Sequence, residues 1–215
     1  MKKISFRAMS ATFLAALFAL ATMSVPVFPQ GRTSNAVGDV LFTFVGHARF
    51  NPATQVLSQF GYLTYVNGVS GIEPIFNPGV QNEATALFTF YSDASIVERL
   101  INNGPLQIFD RVGTMTIYLD TAPNGNFANP DSFRDGLPVQ TSELRLQSIA
   151  DTLTGSLTVT SVNTITSSDF FSLGQHNLLL GKAGQKFRRN YFGHVNTPAP
   201  PSAYIAGFAV GDLKR

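Results

Sequence analysis

Period-two alternation of apolar and polar residues runs through most of the chain. In VLFTFVGHARF, Val40, Phe42, Phe44, Gly46, Ala48 and Phe50 share one side, while Thr43, His47 and Arg49 share the other. Successive side chains of a strand point to opposite faces, so this stretch reads as a strand with one buried and one wet face. SELRLQSIAD sets Leu144 and Leu146 against Glu143, Arg145 and Gln147. LTGSLTVTSVNTI sets Leu153, Leu157, Val159 and Ile165 against Thr154, Ser156, Thr158, Thr160 and Thr164. A Thr-rich outer face suits a solvated strand, because β-branched side chains fit the pleated surface. Further strands are predicted at SQFGYLTYV, TALFTFYS, GTMTIYLD, NLLLG and AYIAGFAV, divided by turn signals at Asn67-Gly68, Asn77-Pro78-Gly79 and Asn103-Gly104-Pro105.

One segment breaks the rhythm. In SDASIVERLINNG, Ser95 and Glu98 have capping-box spacing, Ile96, Val97, Leu100 and Ile101 form an apolar stripe, and Gly104 offers a stop. This spacing predicts a short helix near 94–103. Many antiparallel strands without βα alternation predict an all-β fold, a single antiparallel β-barrel with a two-sheet β-sandwich as the alternative. Small residues within strands at Gly46, Ala48, Gly155 and Gly207 favour the barrel, since they let a sheet bend sharply and closure removes exposed edges.

The first residues do not belong to this pattern. Lys2, Lys3 and Arg7 precede an apolar run from Ala11 to Met23 that ends in small residues, the build of a secretory signal peptide over 1–24. The run falls short of the ~20 residues that cross a bilayer as a helix. Cleavage is expected between about residues 21 and 30. An extended segment over 25–37 and one β domain over 38–215 then follow, with a Pro-rich approach at 197–202 to a last strand. The processed protein is expected to be periplasmic or extracellular rather than integral to a membrane.

Loss of the leader changes the electrostatics. The chain has 15 basic and 13 acidic side chains, and without Lys2, Lys3 and Arg7 the balance is close to neutral. Residues 31–181 are acidic on balance, whereas 182–215 hold six basic residues and one acid, which marks the C-terminal part as the place to meet an anion. Nucleic acid is not an expected partner. There is no cysteine, which excludes disulfides, thiolate metal sites and Cys nucleophiles.

Two stretches carry candidate chemistry. DTAPNGNFANPDSFRDG offers Asp120, Asn124, Asn126, Asp131 and Asp135 as oxygen ligands for a metal, but Pro123 and Pro130 interrupt the spacing that a calcium loop requires. The same residues build turns through bonds to their own backbone, so a structural loop is expected, pinned by Phe127 and Phe133 onto one end of the barrel. GKAGQKFRRNYFGHVN supplies Lys182, Lys186, Arg188, Arg189 and Tyr191 as candidates for binding an anion or partner, or as a charged rim protecting an edge. Strand parity puts Phe187, Arg189 and Tyr191 on one side and Lys186, Arg188 and Asn190 on the other.

His47, His176 and His194 lie far apart without ligand spacing, and no nucleophile elbow or phosphate loop is present. The expected role is therefore non-enzymatic binding of a ligand or partner, without a cofactor: a small apolar molecule, or an anionic glycan or lipid surface. One alternative is a cofactor-independent barrel isomerase, cyclase or lyase drawing on Tyr62, Tyr65, Tyr91, Glu98 or Tyr118; another is a structural surface or matrix protein. An interior filled by Phe42, Phe44, Phe88 and Phe90 would argue against both pocket readings, the ligand-binding one and the enzymatic one. A cavity lined by tyrosine and a buried acid would favour the enzyme.

Overall fold

The alternating segments become ten strands: β1 (Asp39–Asn51), β2 (Val56–Val66), β3 (Phe88–Asn103), β4 (Leu106–Leu119), β5 (Leu137–Asp151), β6 (Ser156–Ser168), β7 (Phe171–Leu173), β8 (His176–Leu178), β9 (Lys186–Asn196) and β10 (Ser202–Gly211). The computed structural model describes residues 39–196 and 202–211, with the backbone alone for 96–100. The expected leader and the extended segment after it lie outside the described residues.

Eight strands close into an antiparallel barrel in the order β1-β10-β9-β6-β5-β4-β3-β2. The sandwich alternative is thereby set aside. Each barrel strand pairs with its neighbour in sequence, except that β6 pairs with β9 across the small β7–β8 hairpin. The seam is a register of β1 on β10 that runs from Asp39 opposite Gly211 to Arg49 opposite Ser202. At one end the connections described are tight, at 52–55, 104–105 and 152–155; at the other they are long, at 67–87, 120–136 and 169–185. Long connections at one end of a rigid barrel make that end the mouth, where recognition is usually carried.

Interior faces are filled by the apolar side of each strand. Phe42, Phe44, Leu63, Phe88, Phe90, Met115, Ile117 and Leu146 belong to one buried cluster. Outward faces are polar on β5 and β6, where Glu143, Arg145, Gln147, Thr158 and Thr160 are exposed. Two apolar positions depart from simple parity. Val40 is exposed and Leu41 buried, because a bulge between Val40 and Phe42 advances the strand by one residue. Leu153 is 82% exposed, since it occupies the β5–β6 turn rather than a strand.

The helix expected near 94–103 does not form. The backbone there continues β3, pairing with β4 from Phe88 opposite Leu119 to Asn103 opposite Leu106, with an irregularity between Ile96 and Leu100. Capping-box spacing is a local preference worth about 1 kcal/mol, and the ladder that β4 and β5 offer across the whole barrel outweighs it. The only helical turn among the described residues is a 3₁₀ turn at Pro130–Phe133.

Candidate functional site: a capped mouth and two buried arginines

At the mouth, the connection from β6 to β9 folds inward. Phe171 of β7 is buried with its ring edge-on to Phe88, 5.7 Å between centroids, and Leu173 joins the same cluster. The hairpin is latched to the β2–β3 loop: Glu73 accepts a hydrogen bond from the Gln175 N–H at 3.4 Å and lies 3.7 Å from His176 Nε2. Gly174, at φ +57°, is packed against the Glu73 carboxylate.

Beneath this lid is a cavity of about 310 Å³ whose wall includes Leu41, Phe42, Val66, Ile117, Leu178 and Leu180. Gln140 contributes a polar edge and donates to the Leu180 carbonyl, while Lys182 stands at the rim. Among the described residues Lys182 is the only titratable side chain in the wall, and no tyrosine or acid lines it.

Deeper in the barrel the side chains become polar. Gln59, Ser92, Arg111, Ser142, Ser148, Ser161, Asn163, Arg189 and Tyr191 point inward and are buried. Gln59 Nε2 donates to Tyr191 Oη at 2.6 Å, and Ser92 Oγ donates to Gln59 Oε1 at 3.4 Å. A second chain runs from Arg189 Nε to Ser161 Oγ at 3.2 Å, on to Asn163 Oδ1 at 2.9 Å, and from Asn163 Nδ2 to Ser142 Oγ at 3.1 Å. The Arg189 guanidinium sits over the rings of Phe44 and Tyr191, at 5.8 and 5.5 Å from the centroids. Arg111 lies over Phe109 and Phe50 and donates weakly to the Gln55 carbonyl at 3.4 Å. Both Nη groups of Arg189, and Nε of Arg111, find no hydrogen-bond acceptor among the described residues.

Burial pushes both guanidinium groups down from their ordinary value, with the Tyr191 phenol opposing the shift in each case. A guanidinium starts so high that it stays charged at neutral pH. Burial pushes the Tyr191 phenol up, against the pull of Arg189, the Gln59 hydrogen bond and Arg111. The tyrosine is therefore neutral and supplies no counter-charge.

The basic stretch thus divides along strand parity. Lys182, Lys186 and Arg188 are exposed, whereas Arg189 and Tyr191 are fully buried in the interior. The segment is not one exposed patch, because alternate residues of β9 face opposite sides of a closed wall.

The loop 120–136 takes a position that the sequence did not suggest. It lies on the outer wall rather than on the end of the barrel. Phe60 points outward from β2, and Phe133 and Phe127 cover it, at 5.5 and 6.3 Å between centroids. Arg49 Nη2 donates to the Phe127 carbonyl at 2.8 Å. Most of the oxygens considered as metal ligands serve the loop itself, while Asp120 Oδ2 is buried without a hydrogen-bond partner among the described residues. Asp120 and Asn126 accept from backbone N–H groups two residues on, Asn124 donates to Asp135, and Asp131 pairs with Arg134 at 2.6 Å.

Tyr62, Tyr91 and Tyr118 are half-buried and Tyr65 is exposed, all facing outward, so they do not converge in the interior; Glu98 lies where only the backbone is described. His47, His176 and His194 belong to β1, β8 and β9, and no group of three or more His, Asp or Glu able to hold a metal occurs among the described residues. The signal that could have found Arg111 was its place in FDRVGTM: it shares parity with Gly113 and Met115, an inward face. No protein-family model, curated protein or solved structure matches the chain.

Proposed function

We propose that the protein is an exported barrel that binds a small, largely apolar molecule in the cavity at its mouth, beneath the β7–β8 hairpin. The observation that carries this reading is the partly open cavity, about 310 Å³ with a largely apolar wall. Binding pockets for small molecules begin at about this size and combine apolar walls with a few polar groups. Here Gln140 and Lys182 would orient the ligand. Phe42, Phe44, Phe88 and Phe90 fill the barrel behind the cavity, so the ligand stays at the mouth rather than occupying the centre. A wall whose only titratable group is a lysine at the rim supports binding over catalysis. The charged and Thr-rich outward face of β5 and β6, where Glu143, Arg145, Thr158 and Thr160 are exposed, differs from a lipid-facing barrel wall, which supports work in water, and the leader-like N-terminus supports export.

The test uses the absence of tryptophan from the chain. Leu178→Trp places a single fluorophore in the cavity wall. Titration with a neutral medium-chain alcohol is expected to shift its emission saturably and to raise the thermal midpoint, since binding to the folded state stabilises it. An emission spectrum unchanged across the titration, with an unchanged midpoint, would overturn the reading.

A further inference from the structure

Two cations share the interior of this barrel, and no acid pairs with them among the described side chains. Arg189 is fully buried and Arg111 is 4% exposed. Among the strand acids whose side chains are described, Asp93, Asp110 and Glu143 lie on outward-facing positions, and the one buried acid, Asp120, belongs to the mouth-side loop. Charged side chains are almost never fully buried unless paired, because an uncompensated charge in a low-dielectric interior costs several kcal/mol. The neutral Tyr191 phenol does not compensate them, and the aromatic faces of Phe44 and Tyr191 offset only part of the cost.

The hydrogen bonds say which counter-ion fits. Arg189 uses Nε on Ser161 and leaves both Nη groups without an acceptor. Two parallel N–H donors at the end of a planar guanidinium match the two oxygens of a carboxylate. Tyr191 already accepts from Gln59 at 2.6 Å, so its own O–H proton is free to be donated. The Arg189 guanidinium lies 5.5 Å from the centroid of the Tyr191 ring, so the phenol and the two Nη groups belong to one place in the interior. We propose that Arg189 and Tyr191 form an internal site for the carboxylate group of a small organic acid.

This site is separate from the mouth cavity and stands whether or not that cavity binds an apolar molecule. The carboxylate could come from a free short acid or from the head of a longer aliphatic acid.

The experiment compares the native protein with Arg189→Met, which keeps much of the volume and removes the charge. Urea unfolding would be followed in sodium chloride, sodium acetate and sodium octanoate at equal ionic strength, starting from protein refolded in each salt so that slow entry does not matter. Acetate is expected to raise the wild-type midpoint above that in chloride and to leave the variant unmoved. A saturable change in the 13C carboxyl signal of labelled acetate should accompany it and weaken at least about tenfold in the variant, the loss of a charge-assisted pair of hydrogen bonds. Octanoate binding more tightly than acetate would assign the carboxylate to a long acid, and equal binding to a short one; either supports the site. Should Arg189→Met fail to fold, Arg189→Lys keeps the charge without the fork and is expected to lose the preference for acetate over chloride. Equal midpoints of the wild type in acetate and chloride, or equal gains in wild type and variant, would overturn the proposal. Because the mouth titration uses a neutral alcohol, its outcome is read independently of this one.

Discussion

Phe127 lies flat against His47, with ring centroids 4.0 Å apart and planes inclined by 11°. Tyr204 closes the other side of the imidazole edge-on at 4.4 Å. Burial pushes the His47 pKa below 6.5 first, the Arg49 charge lowers it further, and Glu83 opposes both. Because the folded pKa is the lower one, the unfolded chain takes up the proton more readily. The contribution to stability is therefore fully present above pH 6.5 and is lost as pH falls toward the folded value. His47→Phe should remove that loss. Comparing denaturant midpoints of the two proteins from pH 7.5 down to about 5 checks it; a constant difference across that range would reject this role for His47.

The outer-wall loop is held by burial and by its own hydrogen bonds. Phe133 is fully buried against Phe60, so Phe133→Ala should cost about 3 kcal/mol. Calcium or a chelator should leave the wild-type thermal midpoint unchanged, as Asp120 Oδ1, Asn126 Oδ1 and Asp135 Oδ2 already accept hydrogen bonds within the loop and no group of three acids or histidines able to hold a metal gathers among the described residues. A calcium-dependent rise in midpoint would contradict this account.

Gly174 permits the latch between the hairpin and the β2–β3 loop. A methyl group there would run into the Glu73 carboxylate at a left-handed φ of +57°, where a non-glycine residue costs about 1–2 kcal/mol. Gly174→Ala is expected to speed proteolysis and amide exchange over 169–181 while moving the global midpoint little. Protection unchanged in the hairpin would show that Glu73 does not hold the lid.

Gly207 sits opposite Tyr191 on β9 and Phe44 on β1. An added Cβ would approach Tyr191 Cα to 2.7 Å, so Gly207→Ala should overpack the wall and cost about 1–3 kcal/mol. It should also disturb the phenol that Gln59 and the two arginines share. A blue-shifted, weakened Tyr near-ultraviolet signal alongside the lowered midpoint would report this; an unaffected midpoint would mean that the seam has slack.

Much of the barrel is legible in the alternation itself. Phe42, Phe44 and Ala48 against Thr43, His47 and Arg49, and Leu144 and Leu146 against Glu143 and Arg145, divide between inside and outside as their parity indicates. Parity does not say which face becomes the interior when charge and aromatics alternate, as in KFRRNY, where closure puts Arg189 inside. Nor does a local pattern reveal a second layer. Phe60 is on the outward face of β2 and is buried only because a loop sixty residues later folds over it. The helix-like stripe after Ser95 misleads for the same reason, since the pairing that overrides it comes from β4.

Asp39 and Gly211, paired at the seam, place the first and last described residues of the barrel side by side, with Cα atoms about 5 Å apart as antiparallel partners are. The ring of strands therefore has no structural beginning. A circular permutant that joins the two ends through a short flexible linker and opens at Gly104-Pro105, an exposed tight turn, would keep every rung of the sheet. It would also carry its new termini to the tight-turn end, away from the lid, so that a fused reporter or surface tether need not crowd the mouth.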